Sequence, residues 1–428
     1  MIFPDFNDAA TYTEFLGTQA ALPQGFRAAT TRLTFTPRER PTREPYAMNL
    51  GAIVADEPTE RFAAVFTRNA FPGAPVILGR ERMGEPALQG VLVNNKIANV
   101  RSATGLDDAR RLTAAFGRAA GVSERRLLSV STGIIGWSLP VPEMESSLPT
   151  LAEGLRPGSA LDIARAIMTT DSYPKIRRVE VGGGSIIGIA KGAGMIEPNM
   201  ATMLLFILTD LSVDRDELRQ ILARTVDTTF NAISVDGDMS TSDMVLAMSS
   251  GRVSPVAAHE FEAALASLCG FLAQDVVRNG EGTSHVVAVR MTGLPSDQIA
   301  RAAAKAIVNS PLVKTAIYGN DPNVGRILAA LGDYLGSNGI EADPGDLVIR
   351  VGDETVFEKG SFTIDRDKEV RLSDYLKSTS MNPRSVGFPP HQRVVDIGVS
   401  CGRGAGTALV WGSDLSDQYV HENADYRS

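Results

Sequence analysis

The sequence has few of the residues that build metal centres or disulfide frameworks. Its 428 residues include two cysteines, Cys269 and Cys401, and four histidines. Two cysteines exclude a disulfide scaffold and any cysteine-rich metal site, and the histidines share no metal-ligand spacing. No apolar run approaches the roughly 18 residues that a membrane helix needs, and the first residues lack the basic start of a signal peptide. We therefore expect no metal, no membrane contact and a cytoplasmic location.

A strongly basic surface is also missing. The formal net charge is −8, from 42 basic and 50 acidic residues, so the composition does not indicate a nucleic-acid partner. Hydrophobic residues make up 43% of the chain and charged residues 21%, as in ordinary globular proteins. A chain of this length can bury a large core and divide into two parts.

The apolar periodicity predicts a mixture of helices and strands. The strands 177–181 and 185–190 flank three glycines as a hairpin, and a buried strand follows at 203–208. A helix is predicted to begin at Asp214, with Glu217 in the capping-box position. Further helices are predicted at 106–118, 255–278, 297–309 and 323–335, and further strands at 62–66, 285–291, 347–351, 394–400 and 407–412. Residues before 62 are predicted to be irregular. Without strict βαβ alternation, this order favours a layered α/β sandwich over a doubly wound sheet.

The segment 191–205, KGAGMIEPNMATMLL, is the most informative part of the chain. It presents Ala201 and Thr202 at the start of the apolar strand. Threonine is a poor nucleophile unless a base takes its proton, and an N-terminal threonine carries such a base in its own α-amine, whose pKa is near ~8. Thr202 lies within the chain, so this chemistry requires a cut between Ala201 and Thr202. An isolated Ala–Thr pair is more often structural, and only the whole string favours the nucleophile.

That string closely resembles the self-cleavage segment of the ornithine acetyltransferase (bifunctional glutamate N-acetyltransferase) family. Other motifs follow in the family's order: STGIIG at 131–136, IMTTD at 167–171, SVDGDMSTSD at 234–243, NGEG at 279–282 and YVHENADYRS at 419–428. The resemblance implies an αββα sandwich of the N-terminal-nucleophile type, with two central sheets covered by helices. It implies a catalytic part over 1–285 and a C-terminal α/β subdomain over 286–428, whose last residues return to the site.

The resemblance also implies a reaction. Thr202 takes an acetyl group from N-acetylornithine and passes it to glutamate, a step of arginine biosynthesis. Thr132 and Gly133 match the family's oxyanion pair, which suits acyl transfer because glycine lets the backbone amide approach closely and threonine adds a hydroxyl donor. The matched substrate-binding positions are Thr169, Lys191, Thr202, Glu281, Asn423 and Ser428. No cofactor is implied, although some members use acetyl-CoA as donor. The implied partners are small amino-acid substrates and the two fragments of the chain, as an α2β2 assembly.

Three departures from the family pattern keep other functions open. The segment 94–105 is two residues longer than usual and carries Lys96 and Ile97 in place of Gly and Asn. Val324 stands where Trp is common, and Ser428 replaces Thr. The alternatives are a secondary-metabolite paralogue with another acyl donor or acceptor, an amide hydrolase that uses the same nucleophile, and a relative that folds but never cuts. Electrophoresis separates the last from the others, and product analysis with and without glutamate separates transferase from hydrolase.

Overall fold

A computed structural model describes residues 4–41, 44–197, 203–384, 387–402 and 404–424. The strands are β1 Phe26–Phe35, β2 Tyr46–Thr59, β3 Phe62–Phe66, β4 Leu88–Asn94, β5 Leu127–Ser131, β6 Lys175–Val181, β7 Gly184–Lys191, β8 Leu204–Leu211, β9 Ile233–Ser234, β10 Met244–Val253, β11 Val286–Leu294, β12 Val348–Val351, β13 Glu354–Glu358, β14 Ser361–Phe362, β15 Val395–Ser400 and β16 Gly406–Ser413. The helices are α1 Ala9–Gln19, α2 Ala74–Arg82, α3 Gly105–Ala120, α4 Val141–Glu153, α5 Leu161–Ala166, α6 Arg215–Thr228, α7 Ala258–Arg278, α8 Asp297–Asn309, α9 Pro311–Tyr318, α10 Gly325–Ser337, α11 Arg366–Ser378 and α12 Asp417–Ala424.

Two sheets pack face to face at the centre of the molecule. The first has the strand order β1-β2-β4-β5 and the second the order β3-β10-β8-β7-β6. Apolar side chains of both sheets fill the layer between them, including Val91 and Val130 from the first and Ile189, Phe206 and Leu246 from the second. These side chains form one core because each sheet turns an apolar face to the other.

Helices cover the two outer faces. α3 and α4 pack on the first sheet through Phe116 and Leu148. α6 and α7 pack on the second sheet through Leu222 and Leu268. The order of layers is therefore helix, sheet, sheet, helix, and the predicted αββα sandwich is confirmed.

β8 is the central strand of the second sheet, and its pairing brings ends of β7 and β10 beside its first residue. β8 runs antiparallel to β7, with Lys191 opposite Leu204, and parallel to β10, with Leu204 opposite Met244. All eight residues of β8 are buried. Lys191, Leu204 and Met244 therefore lie side by side at one edge of the sandwich.

A third sheet has the strand order β14-β13-β12-β15-β11-β16-β9. Its core includes Val289 and Ile397 from the strands and Ile307 and Leu331 from α8 and α10. All but β9 of its strands come from residues after 285. The division of the chain at 285/286 stays a prediction.

Most predicted elements are present at their expected places. β6 and β7 form the predicted hairpin, with Val181 paired to Gly184. α6 begins after Asp214, whose carboxylate accepts hydrogen bonds from the Asp216 and Glu217 amides, so the N-cap is confirmed.

The prediction for the first sixty residues was wrong. They form α1 and the long antiparallel pair β1–β2, which runs from Phe26 opposite Ala55 to Phe35 opposite Tyr46. The arginines and threonines of β1 lie at its exposed or half-buried positions, and the Pro-rich residues 37–41 belong to the connection between the two strands. Tertiary pairing, which local composition does not reveal, decided the structure here.

Candidate active site

One cavity of about 870 Å³ opens at the edge where β7, β8 and β10 meet. Six of the predicted site residues line it: Thr132, Gly133, Thr169, Lys191, Glu281 and Asn423. They come from five separate segments of the chain, so the fold brings together residues that are far apart in the sequence. Ala201, Thr202 and Ser428 lie outside the described residues. Met203, which follows Thr202 in the sequence, also lines the cavity.

The second sheet places two parts of the wall. Lys191 ends β7 opposite Leu204. The Met203 carbonyl accepts a hydrogen bond of 3.0 Å from the Met244 amide, and this bond extends the β8–β10 pairing up to the residue next to Thr202. A cationic side chain is thus held beside the start of β8 by sheet register.

The first sheet places the predicted oxyanion pair. Thr132 and Gly133 follow β5, and the Thr132 amide donates to the Asn94 carbonyl at 3.1 Å. Gly133 has φ 126°, and a Cβ there would lie 2.2 Å from the carbonyl carbon of Lys96, so no side chain fits. In the described part of the chain, neither the Gly133 amide nor the Thr132 hydroxyl has a hydrogen-bond partner. No described residue occupies either donor, and both suit an anionic oxygen in the cavity.

The unusually long segment 94–105 supports this loop from behind. The Ile134 amide donates to the Lys96 carbonyl at 2.8 Å, and the Ala98 amide donates to the Ile134 carbonyl at 3.0 Å. Lys96 has φ 73°, in the left-handed region, which is costly for a residue with a side chain. Ala98 is the residue of this segment that lines the cavity in the described structure. Val324 is buried in the core of the third sheet.

The third part of the wall is the Glu281 carboxylate, which is held by the side-chain amide of Asn423. The Glu281 amide donates to the Ala193 carbonyl at 3.0 Å, and Asn423 Nδ2 donates to Glu281 Oε2 at 2.8 Å. A Cβ at Gly194 would lie 2.3 Å from Glu281 Oε2, so a side chain there would displace the Glu281 carboxylate. α12 is fastened over this region by the Ser416 hydroxyl, which donates to the Gly282 carbonyl at 2.6 Å. The cavity therefore holds a cation, Lys191, and an anion, Glu281.

Asp243 lines the same cavity and was missed by sequence reasoning. Its side chain is buried, and its Oδ2 has no hydrogen-bond partner within the described structure. Burial raises the pKa of the Asp243 carboxyl well above its ordinary value, against a smaller opposing effect from a Ser240 hydrogen bond and the charge of Lys191. Its position just before β10, the strand that pairs with β8, was the available signal.

A Ser–His–Asp cluster elsewhere in the structure was also missed. His285 Nδ1 lies 2.8 Å from Asp414 Oδ2, and the Ser284 hydroxyl contacts both residues. However, His285 Nε2 is bonded to the Leu376 carbonyl at 3.2 Å, and all three side chains are buried away from the cavity. A catalytic histidine would face its serine through the nitrogen that the aspartate leaves free. This cluster is therefore structural and joins β11, α11 and β16.

Among the residues described, no three His, Cys, Asp or Glu side chains are grouped so that they could hold a metal ion. In the same ranges, no helix combines the length and apolarity needed to cross a bilayer.

The comparison with known proteins identifies the family. The sequence model of the ArgJ family matches residues 40–428. The chain is 37% identical to the arginine biosynthesis bifunctional protein ArgJ of Rhodococcoides fascians over 408 residues, 95% of each chain. It is 39% identical to the protein of the same name from Geobacter sulfurreducens over 406 residues, 92% of this chain and 98% of the relative. The chain belongs to the ArgJ family, and the family predicted from the motifs is confirmed.

Two further proteins of known name are similar to this chain. The chain is 38% identical to the glutamate N-acetyltransferase Oat2 of Streptomyces clavuligerus over 379 residues, 87% of this chain and 92% of the relative. A crystal structure of an ArgJ protein from Bacillus halodurans is 36% identical and aligns with a TM-score of 0.46. That alignment covers 52% of this chain and 99% of the other, and the family assignment does not depend on it.

We predict that Asp243→Asn makes the stability of the folded protein less sensitive to rising pH. A raised folded-state pKa means that the folded protein binds this proton more tightly than the unfolded chain, whose aspartates titrate near ~3.9. The stabilising effect is complete below that value and is lost as pH rises through the folded-state pKa. As the pH rises from 5 to 8, the Tm of Asp243→Asn should therefore increase relative to the wild-type Tm, by about 2 °C or more. The exposed Asp238→Asn is the matched control, and parallel pH profiles for Asp243→Asn and wild type would contradict the prediction.

Proposed function

We propose that this protein is an acyltransferase that moves the acetyl group of N-acetylornithine to glutamate through an acyl ester of Thr202. The observation that carries the proposal is the cavity, in which the predicted oxyanion pair and four predicted substrate-binding side chains meet beside the start of β8. Its relatives bear names of arginine biosynthesis and of glutamate N-acetyl transfer, which agree with this reaction. The substrates are small amino acids.

The proposed reaction has two halves. The α-amine of Thr202 takes the hydroxyl proton, and the Thr202 oxygen attacks the acetyl carbonyl of N-acetylornithine. The C–N bond breaks, ornithine leaves with the proton on its amine, and the acetyl group remains as an ester. The amine of glutamate then attacks the ester carbonyl, and the threonine oxygen regains its proton as N-acetylglutamate leaves. Each half passes through an oxyanion, and we assign its stabilisation to the Thr132 hydroxyl and the Gly133 amide.

Opposite charges in the cavity suit amino-acid substrates. We assign Lys191 to a substrate carboxylate and Glu281 to an ammonium group, because such charge-assisted hydrogen bonds are the strong ones in a partly buried site. Asn423 orients the Glu281 carboxylate through its bond to Oε2. Thr169 adds a hydroxyl at the same wall, and Ser428 is assigned to the site by its motif alone.

The nucleophile requires that the chain cut itself between Ala201 and Thr202, and the motif supports this step. The cut would separate residues 1–201, which include β6 and β7, from residues 202–428, which begin just before β8. β7 and β8 pair from Lys191 opposite Leu204 to Ile186 opposite Thr209, so the second sheet would contain strands of both fragments and hold them together. We propose an α2β2 assembly of two such pairs, as the family resemblance implies.

Acetyl transfer is the first test of this function. The purified protein, incubated with N-acetylornithine and glutamate, should produce N-acetylglutamate and ornithine in equal amounts. Without glutamate, ornithine release should stop after about one equivalent, since the acyl-enzyme has no acceptor. Continued release of acetate without glutamate would indicate an amide hydrolase instead. Acetyl-CoA in place of N-acetylornithine tests the alternative donor.

Self-cleavage is the second test. The purified protein should run as two fragments, and N-terminal sequencing of the second should begin at Thr202. Thr202→Ala should abolish both cutting and transfer. Thr202→Ser should cut but transfer more slowly, because serine lacks the methyl group that restricts χ1. An uncut wild-type chain with full activity would exclude the mechanism.

The oxyanion assignment predicts a specific loss. Thr132→Ala should lower kcat by about 10²–10³-fold with little change in KM, because the lost donor acts on charge that develops in the transition state. Thr132→Ser keeps the hydroxyl and is the matched control. An unchanged kcat in Thr132→Ala would leave Thr132 with a structural role only.

A further inference from the structure

A fully buried ion pair lies directly behind the cavity. Lys175 Nζ is 2.7 Å from Asp171 Oδ1, and both side chains are 0% exposed. Neither residue lines the cavity in the described structure. Burying two charges costs free energy that a simple ion pair often fails to recover. The other groups that these two side chains bind therefore indicate what the pair does.

The Asp171 carboxylate holds two backbone segments that carry predicted substrate-binding residues. Its Oδ2 accepts a hydrogen bond of 3.1 Å from the amide of Thr169. Its Oδ1 accepts a hydrogen bond of 2.8 Å from the amide of Gly192, the residue after Lys191. One side chain therefore fixes the distance between the Thr169 and Lys191 segments.

Lys175 extends the same network to a third segment. Its ammonium group donates to Asn279 Oδ1 at 2.6 Å, and Asn279 lies two residues before Glu281. The other end of the Asn279 amide donates to the Ser172 hydroxyl. Asn279 is thus held at both ends of its amide group, and the loop that carries Glu281 starts from a fixed point.

The charge of Asp171 is what allows it to hold these groups. Burial alone would raise the pKa of its carboxyl, but the positive charges of Lys175 and Lys191 and the hydrogen bonds it accepts keep that pKa well below its usual range. A carboxylate accepts with both oxygens, whereas the amide of asparagine accepts with one and donates with the other. An Asp171→Asn side chain therefore cannot accept from Thr169 and from Gly192 through separate atoms.

We propose that Asp171, held by Lys175, is a positioning residue that sets the spacing of Thr169, Lys191 and Glu281 and thereby the affinity for the amino-acid substrates. This inference rests on the proposed function, because substrate affinity is measured through acetyl transfer. It assigns to Asp171 an effect on binding in addition to any effect on stability.

The same strand offers a matched control for a purely structural role. Arg177, two residues after Lys175 and on the same face of β6, forms a nearly as deeply buried ion pair with Asp275 on α7, at 2.5 Å. Side-chain exposure in this second pair is 5% and 4%. The Asp275 side chain contacts arginines and reaches neither Thr169 nor Gly192. Its backbone carbonyl accepts a hydrogen bond from the Asn279 amide, and Asp275→Asn leaves that backbone bond in place. Breaking this pair should cost stability without moving the cavity wall.

The experiment compares Asp171→Asn with Asp275→Asn. For each variant, Tm, the fraction cleaved, and kcat and KM for N-acetylornithine and glutamate per mole of cleaved enzyme are measured. We expect both variants to lower Tm, but Asp171→Asn alone to raise KM, by about 10–100-fold, since small displacements of binding groups have effects of this size. A KM within twofold of the Asp275→Asn value would overturn the proposal. So would an Asp171→Asn chain that no longer cuts while Asp275→Asn does, because Asp171 would then act in self-cleavage.

A double variant keeps the test decisive if Asp171→Asn folds poorly. Asp171→Asn combined with Lys175→Met removes both charges, which relieves the cost of an unpaired buried ion. We expect Tm to recover while KM stays raised. Recovery of both would overturn the proposal. A wild-type protein that transfers no acetyl group would instead disprove the proposed function, so the two failures are distinguishable.

Discussion

The position of β8 is the constraint on which the rest of the site depends. This strand is buried along its full length and paired on both sides, so a slip of one residue would exchange the side chains that face its two cores. Its register therefore fixes the level at which Lys191 and Met244 meet it. The Met203 carbonyl accepts a hydrogen bond from the Met244 amide, so this register extends to the residue just before β8.

The cavity is assembled from parts with separate structural supports. The first sheet provides the Thr132–Gly133 loop, the second provides Lys191, and α12 at the far end of the sequence provides Asn423. Stacked sheets lie about 10 Å apart, so loops that leave the same edge of both sheets can face one another across a space of substrate size. This arrangement explains why so little of the wall is contiguous in sequence.

Much of the fold and site could be predicted from the sequence because the signals were local. The β6–β7 hairpin follows from two apolar segments that flank three glycines, and the six cavity residues were predicted from motifs that resemble those of the family. β1 and β2 were missed because their order arises from pairing with each other over ten residues. The Asp171–Lys175 network and the Ser284–His285–Asp414 cluster were missed because their partners lie up to 130 residues apart, and a single sequence contains no record of such contacts.

The pairing of β7 with β8 has a thermodynamic consequence for a chain that has cut itself. Before such a cut, the two strands belong to one chain. The entropy cost of closing the loop between them does not depend on the protein concentration. After such a cut, they would belong to separate chains, and unfolding would release fragments that are no longer covalently joined. The midpoint of thermal unfolding then depends on protein concentration. The protein would thus fold as a single chain, but after cleavage its stability would depend on the association of its fragments. Dilution alone would then favour dissociation and unfolding.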